Sequence, residues 1–141
     1  THAKMTRFWI TLDQATNFVL NSFRIMKGGE IFVPKIPSIK ITDLAKAMAP
    51  KLNQKIIGIR PGEKLHEKMC SINEAYLTLN FKDHYVIRPS IRFVNYNVDY
   101  KNNAIGEKGV PVSNGFEYNS GMNRVFLNID ELKEYDKCAE L

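Results

Sequence analysis

Ile56-Ile57-Gly58-Ile59-Arg60-Pro61-Gly62-Glu63-Lys64-Leu65-His66-Glu67-Lys68-Met69 is the stretch on which the fold and the site of this chain turn. Residues 56–59 are apolar and β-capable, and predict a strand running into Arg60. Pro61-Gly62 forces a turn, and residues 63–67 read as a helix start. A strand feeding a turn brings Arg60 and Glu63 to one rim, close together and partly sheltered. An arginine presents a planar fork of donors that suits phosphate oxygens. A carboxylate three residues later is an acceptor for hydroxyls such as those of a ribose. Two readings stand side by side at this point. The pair reads the two halves of a nucleoside diphosphate, or it is a local surface ion pair that contributes little.

Composition bounds the alternatives. The chain has 141 residues, 44% hydrophobic and 25% charged, with a net charge of +5. That is the make-up of one modest globular domain with a real core. The basic residues are scattered rather than blocked, which argues against a nucleic-acid surface and leaves room for an anionic ligand. No apolar run approaches the length of a membrane span. Thr1 to Trp9 lacks the apolar core of a signal peptide; the stretch begins abruptly, without an initiator Met, and is expected to belong to a fragment. Cys70 and Cys138 form no CxxC and read as free thiols. His2, His66 and His84 have no metal-ligand spacing, and His66 reads as a surface residue.

Outward from the central stretch, residues 5–10 predict a short strand. Arg7 lies in it among apolar neighbours, either as a snorkelling arginine at a domain edge or as a second phosphate contact. Thr11, with Gln14 as capping-box partner, opens a helix. Leu12, Ala15, Val19, Ser22 and Met26 form its apolar stripe, widened by Phe18 and Phe23, which are expected in the core. Lys27-Gly28-Gly29 closes it. Residues 30–33 and 39–41 predict strands, and Thr42 caps a helix through Ala49, before Pro50. Strands are also expected at residues 77–81, 84–88, 91–94 and 124–127. Asn128, with Glu131 three residues on, caps a last helix that packs through Leu132 and Tyr135. Helix and strand alternate over residues 12–59, which predicts an α/β layer. Gly28-Gly29 follows a helix, not a strand, so it is not a dinucleotide loop.

MTRFWITLDQA, GGEIFVPKIPSIKITDLAKAMAP, IIGIRPGEKLHE and FEYNS together resemble the C-terminal part of the inverting UDP-N-acetylglucosamine 4,6-dehydratases. These are extended short-chain dehydrogenase/reductases of the polysaccharide-biosynthesis branch, which make precursors of pseudaminic acid for bacterial surface and flagellin glycans. The resemblance covers nearly the whole chain and is closest from Met5 to about Ser90. It implies an α/β chain that is the substrate-binding part of such an enzyme, with the Rossmann cofactor half largely absent. It implies that Arg7 and Arg60 bind the UDP phosphates and that Glu63 contacts the ribose. In that family an N-terminal Rossmann half holds NADP and the catalytic Tyr-x-x-x-Lys pair. No Tyr here is followed four residues later by Lys, so no catalytic residue is assigned and the chain alone is expected to be an inactive portion of a lyase. The regions expected are residues 1–94 for the nucleotide-sugar, 95–115 as an exposed loop, from its Asn, Gly, Lys and Val content and weak periodicity, with the resemblance leaving it unassigned, and 116–141 as a strand and helix packing back. Expected partners are the UDP-sugar, the catalytic half and further subunits, in the cytoplasm, with no nucleic acid and no membrane. Left open are a stand-alone nucleotide-sugar-binding module, an epimerase or dehydratase fragment of another kind, and the role of Tyr118 and Ser120 in FEYNS.

Overall fold

A computed structural model describes residues 2–91 and 98–137. In chain order it contains β1 (Thr6–Phe8), α1 (Leu12–Ile25), β2 (Ile31–Pro34), β3 (Ser38–Lys40), α2 (Ile41–Met48), β4 (Lys68–Cys70), a 3-10 helix (Ile72–Leu77), β5 (Thr78–Asn80), β6 (His84–Ile87), β7 (Val110–Pro111), β8 (Tyr118–Asn119) and α3 (Ile129–Lys137). The class is mixed helix and strand, as the alternation predicts, and the registers that define β1–β3 and the larger sheet are antiparallel. No helix of the described residues is long and apolar enough to cross a membrane. The chain divides into two compact units built from interleaved segments.

The first unit comprises Thr1–Leu12, Ile36–Lys68 and Tyr118–Leu141. Its sheet pairs Thr6 with Lys40, Arg7 with Ile39 and Phe8 with Ser38. Ile39 and Ser38 are fully buried there, and α2 packs against α3. Residues 124–127 are not a full strand. They meet β3 through one parallel bridge, Ser38 to Phe126, with Ser38 N–H donating to Val125 O and Leu127 N–H to Ser38 O. Asn128 caps α3 as expected: its Oδ1 accepts the N–H groups of Asp130 at 2.9 Å and Glu131 at 3.0 Å, and Glu131 returns a bond to Asn128 N–H at 2.7 Å. Thr42 does not cap α2. The helix starts at Ile41, directly after the paired Lys40, and Ile41 N–H donates to Met5 O. The strand's own ladder places the helix start, so no side-chain cap is needed there.

The second unit comprises Asp13–Lys35 and Met69–Glu117. Its sheet has the order β2-β6-β5-β7. Leu79, Phe81 and Val86 form the buried cluster, with Phe32 and Tyr100 packed on it. Alternation along β5 and β6 sends these residues to one face. His84 is buried, stacked on Phe81 with centroids 4.9 Å apart and tilted against Phe32 at 5.6 Å; burial lowers its pKa. Residues 98–115, expected to be loop, contain β7, which pairs with β5. Gly109 makes room there, since a Cβ at that position would lie 2.4 Å from the Phe81 ring. Phe18 and Phe23 are not the core that the stripe predicts. α1 buries no residue, and Phe23 is 64% exposed. Cys70 is buried and unpaired, its thiol pushed up to about 12 by burial. The strand expected at residues 91–94 and the thiol of Cys138 lie outside the described residues.

Candidate functional site

The central stretch folds differently from its expected strand and helix. Residues 56–60 form no strand: Gly58 sits at φ 84°, outside the extended region, and Ile57 and Ile59 face outward. A left-handed glycine in mid-run breaks a ladder before it can start. The turn at Pro61-Gly62 does form, with Gly62 at φ 81° and Glu63 N–H donating to Arg60 O at 3.0 Å. No helix follows it. The groups that a helix would pair internally are bonded elsewhere: Leu65 O accepts from Thr6 N–H at 3.0 Å, and Glu67 O from Ser120 N–H at 2.8 Å.

Across that turn the Glu63 carboxylate also accepts three bonds from Arg60. Oε1 of Glu63 accepts from Arg60 Nη2 at 2.8 Å and from Nε at 3.3 Å, and Oε2 accepts the Arg60 backbone N–H at 3.0 Å. These bonds hold the Glu63 carboxyl down at about 2 and raise Arg60. The arginine is not the sheltered group that the sequence predicts, since its side chain is 74% exposed. One edge of the guanidinium is occupied by the carboxylate. Nη1 makes no hydrogen bond among the described residues, so the remaining edge points donors outward.

Arg7 reaches the other end of the same segment. From β1 its Nη1 donates to Thr6 O at 2.6 Å and to Leu65 O at 3.5 Å, and its Nε lies 3.4 Å from Glu67 Oε1. Its side chain is only 25% exposed, so it is a half-buried, partnered cation rather than a snorkelling one. Nη2 is left without a partner among the described residues. Arg7, on the first segment of the unit, and Arg60 and Glu63, on the second, therefore belong to one unit; among the described residues Arg60 keeps Nη1 free and Arg7 keeps only Nη2. A concavity of about 250 Å³ beside α2, lined by Ile41, Thr42, Ala45, Leu52, Gln54 and Ile56 among others, begins this segment. It lies below the volume usual for an enclosed ligand pocket.

Four further residues complete the arrangement, and the sequence did not single them out for it. Thr6 Oγ1 lies 2.8 Å from His66 Nδ1 and 2.7 Å from Ser120 Oγ, and Glu67 N–H donates to Ser120 Oγ at 2.9 Å. Thr6 and Ser120 are buried. His66 is half-buried, not a surface residue, and a Cβ on residue 121 would strike its ring at 2.5 Å, so Gly121 is required there on steric grounds. Tyr118 of the same run packs on Phe8 with centroids 4.8 Å apart, and its hydroxyl bonds both backbone polar groups of Ile36. Tyr118 and Ser120 thus lock to β1, to Ile36 and to Glu67 within the first unit. The shared likeness of FEYNS, MTRFW and RPGEKLHE to one family is the sequence signal for this contact.

The chain is 54% identical over 134 residues to a UDP-N-acetylglucosamine 4,6-dehydratase (inverting) of Campylobacter jejuni subsp. jejuni serotype O:2, covering 95% of this chain and 40% of that protein. It is 35% identical to a UDP-glucose 4-epimerase of Rickettsia rickettsii, covering 95% of this chain and 39% of the relative. Among solved structures, that of Pen from Bacillus thuringiensis superposes with a TM-score of 0.72 at 27% identity, over 99% of this chain and 40% of that one. The chain thus spans about 40% of the length of these relatives. Residues 1–89, which carry β1, the Arg60–Glu63 turn and the whole Arg7 contact set, match the family described as polysaccharide biosynthesis protein, and the chain belongs to that family.

Proposed function

We propose that this chain is the UDP-sugar-binding portion of a UDP-N-acetylglucosamine 4,6-dehydratase, an enzyme forming a UDP-4-keto-6-deoxy-hexosamine for bacterial surface or flagellin glycans. The observation that carries the reading is the 54% identity, over 95% of the chain, to a dehydratase of that name. The geometry supports it. Among the described residues Arg60 keeps an unpartnered, exposed Nη1 and Arg7 an unpartnered Nη2 within the same unit, donors that phosphate oxygens accept from. Glu63 Oε2 keeps one acceptor site beyond its bond to Arg60, enough to accept from a ribose hydroxyl. The second reading is a nucleotide-sugar epimerase portion, favoured by the 35% identity to the Rickettsia enzyme. Both readings place UDP on the same residues and differ in the chemistry of the sugar.

NADP belongs to this reading as the cofactor of the full-length enzyme, where it would take up and return the hydride. The residues described here do not fit it. The glycines at positive φ lie between α1 and β2, between α2 and β4, and in turns after β6, and none joins a strand to a following helix. No step through the cofactor is derived from this chain. The reading also places the protein in the cytoplasm, where nucleotide-sugars are made, and in a homo-oligomer.

The test is titration calorimetry of the full-length protein with UDP. Arg60→Ala is expected to weaken UDP on the order of tenfold. Arg60→Lys should recover part of that loss, because it keeps the charge without the fork. Unchanged affinity in Arg60→Ala would end the phosphate reading.

A further inference from the structure

We infer that Ser120, which the proposed ligand does not touch, is a positioning residue for the phosphate-binding arginine Arg7; the inference rests on the UDP reading above. Ser120 is fully buried. It grips Glu67 on both sides of the peptide: Ser120 N–H donates to Glu67 O at 2.8 Å, and Ser120 Oγ accepts Glu67 N–H at 2.9 Å. That clamp aims the Glu67 side chain, whose Oε1 lies 3.4 Å from Arg7 Nε. Ser120 Oγ also lies 2.7 Å from Thr6 Oγ1, and Thr6 supplies the carbonyl that accepts from Arg7 Nη1 at 2.6 Å. Thr6 N–H in turn holds Leu65 O, the other carbonyl near that nitrogen.

Every partner of the Arg7 guanidinium is thus one bond away from Ser120 or from Thr6, its hydrogen-bonded neighbour. Glu67 N–H donates to Ser120 Oγ. With His66 Nδ1 as acceptor, Ser120 O–H donating to Thr6 and Thr6 O–H to His66 gives each hydroxyl one donor bond and one acceptor bond. Removing the Ser120 hydroxyl strands the Glu67 N–H and releases Thr6 from one side. The Arg7 guanidinium then loses the partners that fix its orientation, and with them the fixed position of its remaining donor, Nη2.

The experiment is a double-mutant cycle on the full-length protein, with UDP and uridine titrated separately and followed by NMR. Ser120→Ala is expected to weaken UDP roughly tenfold and to leave uridine, which has no phosphate, unchanged. In an Arg7→Ala background Ser120→Ala should have no further effect on UDP. Thr6→Val and Thr6→Ser provide a second pair, the former losing UDP affinity and the latter keeping it, should the Ser120 variant fold poorly. Equal losses for UDP and uridine, or losses from Ser120→Ala and Arg7→Ala that multiply, would show a merely structural role and overturn the inference. If Arg7→Ala weakens UDP and neither Ser120→Ala nor Thr6→Val does, the inference fails and the UDP reading stands. If Arg7→Ala itself binds UDP normally, its phosphate role falls, and the positioning role with it.

Discussion

Glu63 uses both carboxylate oxygens to close the turn on Arg60, and that has a measurable consequence. Its carboxyl is held at about 2 rather than 4.5, chiefly by the Arg60 side chain. A folded value below the unfolded one means that the pair's stabilisation is fully present above about 4.5 and is lost as pH falls towards about 2. A side-chain NMR titration is expected to place the Glu63 midpoint near the lower value, with Arg60→Ala returning it towards the upper one. A midpoint near 4.5 in the unmutated chain would mean that the turn is open in solution. The Arg60–Glu63 pairing was legible from the sequence because three residues and a Pro-Gly turn determine it locally. The exposure of Arg60 was not legible, because it depends on whether residues 56–59 find a strand partner, and Gly58 at positive φ prevents that.

α3 and the stretch after Gly62 are the instructive contrast at the scale of elements. Both carry helix-start signals, and only α3 becomes a helix. Its Asn128 satisfies two otherwise orphaned N–H groups, and Glu131 answers the cap. Asn128→Ala is therefore expected to cost about 1 kcal/mol in urea denaturation, and Asn128→Asp much less; no loss in the alanine variant would show that packing of Leu132 alone holds the helix. After Gly62, Leu65 and Glu67 bond to β1 and to Ser120 instead of to their own helix. Tertiary partners won over local propensity there. α1 departs from its pattern in the other direction: its periodicity is helical as predicted, yet Val19, Leu20 and Phe23 remain more than half exposed. Periodicity says which residues share a face and is silent about what covers that face.

At the scale of the whole molecule, the chain presents the proposed binding residues without a dinucleotide loop among the described residues or a Tyr-x-x-x-Lys pair in the sequence. Hydride chemistry needs the cofactor, and the protein's part is to position it. The purified chain, incubated with UDP-N-acetylglucosamine and NADP, is expected to form no 4-keto-6-deoxy product; turnover would refute the division of labour proposed here. Sequence alone determined the mixed helix and strand class, the Pro-Gly turn, the cap of α3 and the family to which the chain belongs. Each of these rests on signals within a few residues, or on a pattern shared along the chain. The tertiary structure alone decided that Tyr118 and Ser120 close on the MTRF strand and on Glu67. Ser120 is 53 residues from Glu67 and 114 from Thr6, and nothing local marks a serine for either. Contacts at such separations form only when the rest of the unit has repaid the entropy of closing the loops between them. Arg7 and Arg60 were legible as candidate phosphate donors, and the orientation of Arg7 became readable only once those loops were closed.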